Sequence, residues 1–86
     1  MRLDKFLKVT QLIKRRAVAK ESAEDGVISL NGKAAKPAHE VKTGDLIEID
    51  MWNYYKAVRV LKLPAAGSVP KAVLDEYVEV TEYRAK

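Results

Sequence analysis

The hydrophobic rhythm of the chain changes at Gly26, and that change restricts the fold more than any other feature. Ahead of it, Leu3, Phe6 and Leu7, then Leu12, Ile13, Ala17, Ala19 and Ala23, recur at the spacing of a helix face. Behind it lie short stretches with strand character: Val27-Ile28-Ser29-Leu30, Leu46-Ile47-Glu48-Ile49-Asp50 and the strictly alternating Ala57-Val58-Arg59-Val60-Leu61-Lys62-Leu63. At 86 residues there is room for one core, built from helices first and strands afterwards. A hydrophobic fraction of 48% with 33% charged residues is that of a globular chain, not a disordered one.

Punctuation divides the two halves. Asp4 has two readings: its carboxylate caps a short first helix by accepting from backbone N–H groups of the opening turn, or it is an acid that orients Arg2 or Lys8. Thr10 is a second cap candidate, expected to interrupt the helix and start another around Leu12. Gly26 is expected to end that second helix in the left-handed conformation. Asn31-Gly32 is a strong hairpin signal, because both residues tolerate positive φ. Lys36-Pro37 should leave the sheet, residues 41–45 should turn, and Trp52-Asn53 should form a hairpin tip. After a loop at 64–68, Ser68 and Pro70 look like a helix start, with Val73, Leu74, Tyr77 and Val78 on one face. Val78-Glu79-Val80-Thr81 also alternates, which leaves the last ten residues open between helix and strand.

Charge is unevenly spread. Residues 1–20 carry seven Lys or Arg against one acid, Asp4, a local net of +6, whereas the rest of the chain is mildly acidic at −2. A positive end of this kind suits a polyanion, nucleic acid first. Arg16 and Lys20, four apart, share a helix face, and Lys5 and Lys8, three apart, share another. Lysines act as point charges on phosphates, while Arg15 and Arg16 can form bidentate pairs or stack on bases. The deep major groove of A-form RNA excludes side chains, so shape and backbone should dominate recognition.

Other chemistries find little support. The absence of Cys removes disulfides and thiolate metal sites, and His39 is the only histidine, so no metal or cofactor is expected. No nucleophile elbow surrounds Ser22, Ser29 or Ser68, and the four glycines are scattered as turns, so catalysis is not expected. No apolar run approaches membrane-spanning length and Lys5, Lys8 and Lys14 break up any signal-peptide core, which makes a soluble cytoplasmic protein the expectation. Trp52, Tyr54 and Tyr55 are expected to pack across strands, with base stacking as the alternative. Tyr77 and Tyr83 read as core or surface-helix residues.

Arg2-Leu3-Asp4-Lys5-Phe6-Leu7, Lys14-Arg15-Arg16, Ala19-Lys20, Gly26-Val27-Ile28, Asn31-Gly32, Lys36-Pro37 and Gly44-Asp45 occur in that order over roughly the first fifty residues. This ordered set resembles the S-four RNA-binding domain, also called the alpha-L motif. The resemblance implies an α+β fold in which two N-terminal helices pack on a small, mainly antiparallel sheet. RNA would be held across the helices and the adjoining loop. The stand-alone short form is most similar to the bacterial ribosome-quality-control branch, with a ribosome-associated heat-shock branch as a relative. It implies binding to large ribosomal subunit RNA and peptidyl-tRNA on an obstructed subunit, while a partner protein adds a tail to the stalled chain. Arg2, Lys5, Arg15, Arg16 and Lys20 would be the main contacts, with Lys8, Lys14, Lys33 and Lys36 extending the positive surface.

The chain departs from the pattern in two places. Thr10-Gln11 stands where the family often has Ser-Arg, so one cation is missing. Residues 75–86 contain four acids and two bases, unlike the basic extension of the heat-shock branch, and favour the quality-control branch. The expected division is an RNA-binding domain with its sheet at 1–63 and a C-terminal loop with a short helix at 64–86, packed on the same domain. A monomer is expected. Pseudouridine synthases share the domain, but a chain of this size has no room for their catalytic part. The competing class is a protein-interaction module whose charge is incidental.

Overall fold

A computed structural model describes residues 1–65 and 67–86. Two helices come first, α1 (Leu3–Val9) and α2 (Arg16–Glu24). Five strands follow: β1 (Ile28–Leu30), β2 (Lys33–Ala34), β3 (Leu46–Asp50), β4 (Tyr54–Val60) and β5 (Val78–Ala85), with a 3-10 turn (Lys71–Glu76) leading into the last. The strands form one sheet in the order β2-β1-β3-β4-β5, and every neighbouring pair is antiparallel. The α+β class expected from the sequence is the one observed.

The core is the helical stripe of α1 laid on the inward side chains of the sheet. Leu3, Phe6 and Leu7 are fully buried against Ile28, Ile47, Ile49, Val58 and Val60. Each such side chain contributes roughly 1.5–3 kcal/mol by leaving water. Ala19 and Ala23 are the buried residues that let α2 approach α1 closely.

Thr10 does not open the second helix; it closes the first. Its hydroxyl and its N–H both donate to the Phe6 carbonyl, at 2.7 and 3.0 Å. Gln11 then turns the chain at φ +60° and donates to the Lys8 carbonyl. A threonine hydroxyl bonds back to the i−4 carbonyl as readily as it caps forward, and here the backward bond wins. The second helix therefore starts at Arg16, four residues later than Leu12, with Arg15 extended at its N-cap. At its far end the Gly26 N–H donates to Ala23 O and the Val27 N–H to Ser22 O, both at 3.2 Å, a Schellman closure with Gly26 at φ +79°.

Asn31 and Gly32 take φ of +53° and +85°, the geometry that lets a two-residue turn join β1 to β2. Asn31 does more than turn. Its Oδ1 accepts from the Leu46 N–H at 2.9 Å, its Nδ2 donates to Asp45 Oδ1 at 3.0 Å, and its own N–H donates to Leu46 O at 2.8 Å. It thus ties the hairpin to the entrance of β3. The 36–41 loop leaves the sheet at Pro37 as expected and runs along the start of α1, where Pro37 O and His39 O accept from the Asp4 and Leu3 N–H groups.

The C-terminal ambiguity resolves towards a strand. Val78 and Val80 stand opposite Val60 and Val58, so the alternation of this segment satisfies an edge that β4 would otherwise leave open. The helical spacing of Val73 and Leu74 yields only the 3-10 turn, so no C-terminal α-helix forms. The fourth strand sits three residues earlier than its alternation suggests, because Leu61 and Lys62 leave the ladder and donate to Tyr77 O. Of the predicted loop at 64–68, residue 66 lies outside the described residues.

Replacing Asn31 with Ala should lower stability by about 1–3 kcal/mol in urea denaturation, from two lost side-chain hydrogen bonds and a strained positive φ. A change within a few tenths of a kcal/mol would mean that Asn31 is only a turn residue.

Candidate nucleic-acid interface

The site is built around a carboxylate. Asp4 lies in the first turn of α1, not at its N-cap, which is Arg2, and its side chain is 2% exposed. Its Oδ1 accepts from the Lys5 N–H at 2.8 Å, which keeps part of the capping role expected of it. Arg2 grips both oxygens, Nε to Oδ1 and Nη2 to Oδ2, each at 3.1 Å. Arg16, at the start of α2, brings Nη2 to 3.6 Å from Oδ1. One buried acid therefore brings together two arginines, one at the N-cap of α1 and one at the start of α2, with about half of each side chain open to solvent. Of the two partners anticipated for Asp4, Arg2 is used and Lys8 is not; Arg16 has no local signal in the sequence.

Burial pushes the Asp4 carboxyl upward, but the Arg2 hydrogen bonds, the Lys5 N–H and the Arg16 and Arg2 charges outweigh it. The carboxyl ends below its ordinary value. The arginines thus keep it ionised, and it in turn orients Arg2 through two hydrogen bonds and draws Arg16 in by charge.

The other cations surround this centre. Lys5 and Lys8 are exposed on the outer side of α1. Lys14 and Arg15 are exposed on the segment between the helices, and Lys20 stands one turn beyond Arg16 on α2. Helical geometry places Arg16 and Lys20 beside the buried Ala19 and Ala23, at the edge of the seam between the helices. Lys36 is exposed immediately before Pro37, whose carbonyl takes the Asp4 N–H, so it adjoins the same helix start. Lys33 lies apart, on the edge strand β2. Among the described residues, Lys5, Lys8, Lys14, Arg15, Lys20, Lys33 and Lys36 make no ion pair.

The aromatic group divides. Tyr54 stacks with Tyr83 across β4 and β5 at 6.2 Å between ring centroids, and Lys56 lies over both rings. Tyr55 donates its hydroxyl to Glu48, and that hydrogen bond, with burial and the Glu48 charge, pushes its pKa up to about 12. These two tyrosines pack across strands, as expected. Trp52 does not: it projects from the β3–β4 tip with 88% exposure. Tyr83 belongs to a strand instead of a helix. His39 is exposed in the loop beside α1.

Two helices that present cations over a small antiparallel sheet define a class, and comparison agrees. Residues 1–47, more than half of the chain, match the S4 domain, and the chain belongs to this family. It is 38% identical over 78 residues to the RQC P-site tRNA stabilizing factor of Helicobacter pylori, covering 91% of this chain and 93% of that one. It is 51% identical over 63 residues to the factor of the same name from Bacillus subtilis, covering 73% of each. Among solved structures, Vibrio cholerae heat shock protein 15, described as trimeric, superposes with a TM-score of 0.83 at 26% identity. That match covers 94% of this chain and 81% of the other.

Replacing Asp4 with Asn should cost about 1–3 kcal/mol at neutral pH, because Arg2 loses a charged acceptor and Arg16 its counter-charge. A carboxyl whose folded pKa is depressed contributes stability that is complete above its unfolded pKa of about 3.9. That contribution is lost as pH falls through the folded pKa. The wild-type advantage over D4N should therefore fade on acidification in denaturation titrations, and an advantage that persists in strong acid would contradict the charge-based account.

Proposed function

We infer that the chain is a non-enzymatic RNA-binding factor that grips folded ribosomal RNA and peptidyl-tRNA on obstructed large ribosomal subunits, in the cytoplasm. The observation that carries this reading is the Arg2–Asp4–Arg16 arrangement, which gathers two guanidinium groups at the starts of the two helices, Arg2 held by two hydrogen bonds and Arg16 by charge. Around it, Lys5, Lys8, Lys14, Arg15, Lys20 and Lys36 are exposed and make no ion pair among the described residues, so their charge is available to phosphates. The names of the relatives support P-site tRNA as one partner.

Each part has a distinct task. The lysines supply non-specific attraction and counterion release. The arginines, already desolvated on one side by Asp4, supply geometry, since planar forks read phosphate positions in a way that ammonium groups do not. Holding tRNA requires no bond making, only a rigid surface complementary to a folded backbone, and the buried stripe beneath α1 provides that rigidity. Lys33, on the edge strand β2, stands apart from this surface and would extend it only for a larger RNA. A partner that adds residues to the stalled chain would act while the tRNA is held. The chain works as a monomer in this scheme, with residues 64–86 completing the domain defined by residues 1–63.

Five phosphates neutralised would give a log–log dependence of RNA affinity on salt with slope about −3 to −4. Charge reversal at Lys5 and Lys20 together, chosen because neither touches Asp4, should abolish co-sedimentation with large subunits and leave the far-UV circular dichroism unchanged. Undiminished co-sedimentation of that folded variant would remove these residues from the interface. Association that ignores both salt and RNase treatment would favour a protein-interaction module instead.

A further inference from the structure

The acidic end of the molecule is not used by that reading. β5 is an edge of the sheet, eight residues long and paired only with β4. A β-bulge between Ala57 and Val58 leaves Thr81 as the extra residue on β5, since Glu82 stands opposite Ala57 and Val80 opposite Val58. Its effect is on facing. Val80 pairs with Val58 and Tyr83 with Lys56, two residues apart on β4, so Val80 and Tyr83 share the face on which Val58 enters the core. Both are nevertheless exposed, at 52% and 57%.

Beside them is a groove of about 480 Å³, with Leu12, Leu61, Leu74, Val78 and Val80 in its lining. It is electrically polarised. Asp75 and Glu79 lie at the Val78 end, and neither makes an ion pair among the described residues. Lys56 lies towards Tyr83, resting on the Tyr54 and Tyr83 rings, and it too makes no ion pair among the described residues.

We propose that β5 is a docking edge for an extended peptide segment of a partner protein, with alternating apolar side chains and opposite charges at its two ends. The free edge of β5 supplies backbone hydrogen bonds, and the exposed Val80 and Tyr83 with the neighbouring groove take the apolar side chains. Antiparallel addition, the pairing used throughout this sheet, sets the polarity, and the charges then set which end is basic. A segment antiparallel to β5 places its C-terminal end beside Val78, so it carries a basic residue there, facing Asp75, while Glu79, between Val78 and Val80, adds its charge from the other face of the strand. It carries an acidic residue at its N-terminal end, facing Lys56. RNA is disfavoured here, since Asp75, Glu76 and Glu79 repel phosphates. This surface adjoins the end of α1 at Leu12 but uses none of the cations assigned to RNA, and the proposal stands or falls independently of the RNA reading.

The test titrates a blocked octapeptide of alternating Val and Thr, with Glu at its N-terminal end and Lys at its C-terminal end, into the isotope-labelled full chain at millimolar concentration. Amide shifts and hydrogen exchange are read by NMR. Expected are shifts confined to residues 78–85 and to Leu12, Lys56, Leu61, Leu74 and Asp75 of the groove, with exchange of β5 edge amides slowed roughly tenfold. V80K, and separately D75K with E79K, should abolish the effect in chains whose remaining spectrum is unchanged. The peptide with Glu and Lys exchanged should bind at least several-fold more weakly. No shift at β5, equal binding of the exchanged peptide, or the same shifts produced by an RNA hairpin would each overturn the proposal.

Discussion

The molecule depends on a carboxylate that would be costly if left alone. Asp4 is buried where an unpaired charge would cost several kcal/mol, and it remains an anion because Arg2 and Arg16 complete it. The dependence runs both ways. Two arginines brought together on a small surface repel each other, and the acid between them makes their approach favourable. The arrangement also couples the relative placement of α1 and α2 to the charge pattern they display. A buried ion pair is poor evidence for high stability, because an apolar substitute often serves as well; what it specifies is geometry.

That geometry rests on side chains of quite different character. Leu3, Phe6 and Leu7 anchor α1 to the sheet, while Ala19 and Ala23 allow α2 to lie close to it. Larger residues at the alanine positions would separate the helices and move Arg16 away from Asp4. The spacing that reads as a weak apolar stripe is in this sense part of the charged surface. Helix length matters too: α1 has seven residues, and its end is held by Gln11, whose amide donates to Val69 O while the Val69 N–H donates to Val9 O. A helix too short to be stable alone is thus tied to the C-terminal loop at the end opposite Asp4.

Much of this was legible in the residues and some was not, for definite reasons. Gly26 and Asn31-Gly32 carry their conformation in their own chemistry, since positive φ is cheap there, and both boundaries appear where local reasoning places them. Thr10 was misleading because one hydroxyl can serve a helix start or a helix end, and the choice depends on Gln11 adopting φ +60°, which glutamine does not advertise. The last strand was undecidable locally: Val73, Leu74, Tyr77 and Val78 fit a helix, and only the unpaired edge of β4, far off in sequence, makes Val78–Ala85 a strand. In the site, the cations themselves are plain from composition. The Asp4–Arg16 contact links residues twelve apart on different helices, and no periodicity within either could show it.

The two edges of the sheet are finished differently. β2 is two residues long, carries the exposed Lys33, and gives way at once to Lys36-Pro37, so it offers a new strand almost no ladder. β5 offers eight residues, and its protection consists of the Thr81 bulge and charges of both signs, with Glu82 already held by Arg84 at 2.8 Å. A bulge discourages indiscriminate pairing because it interrupts the ladder. Here it also rotates Val80 and Tyr83 onto one face, which an unbulged strand would have put on opposite faces. The same irregularity that protects the edge against strands of arbitrary sequence therefore gathers its apolar contacts into a patch. An edge built only to repel other chains would have no physical reason to expose two large apolar side chains together.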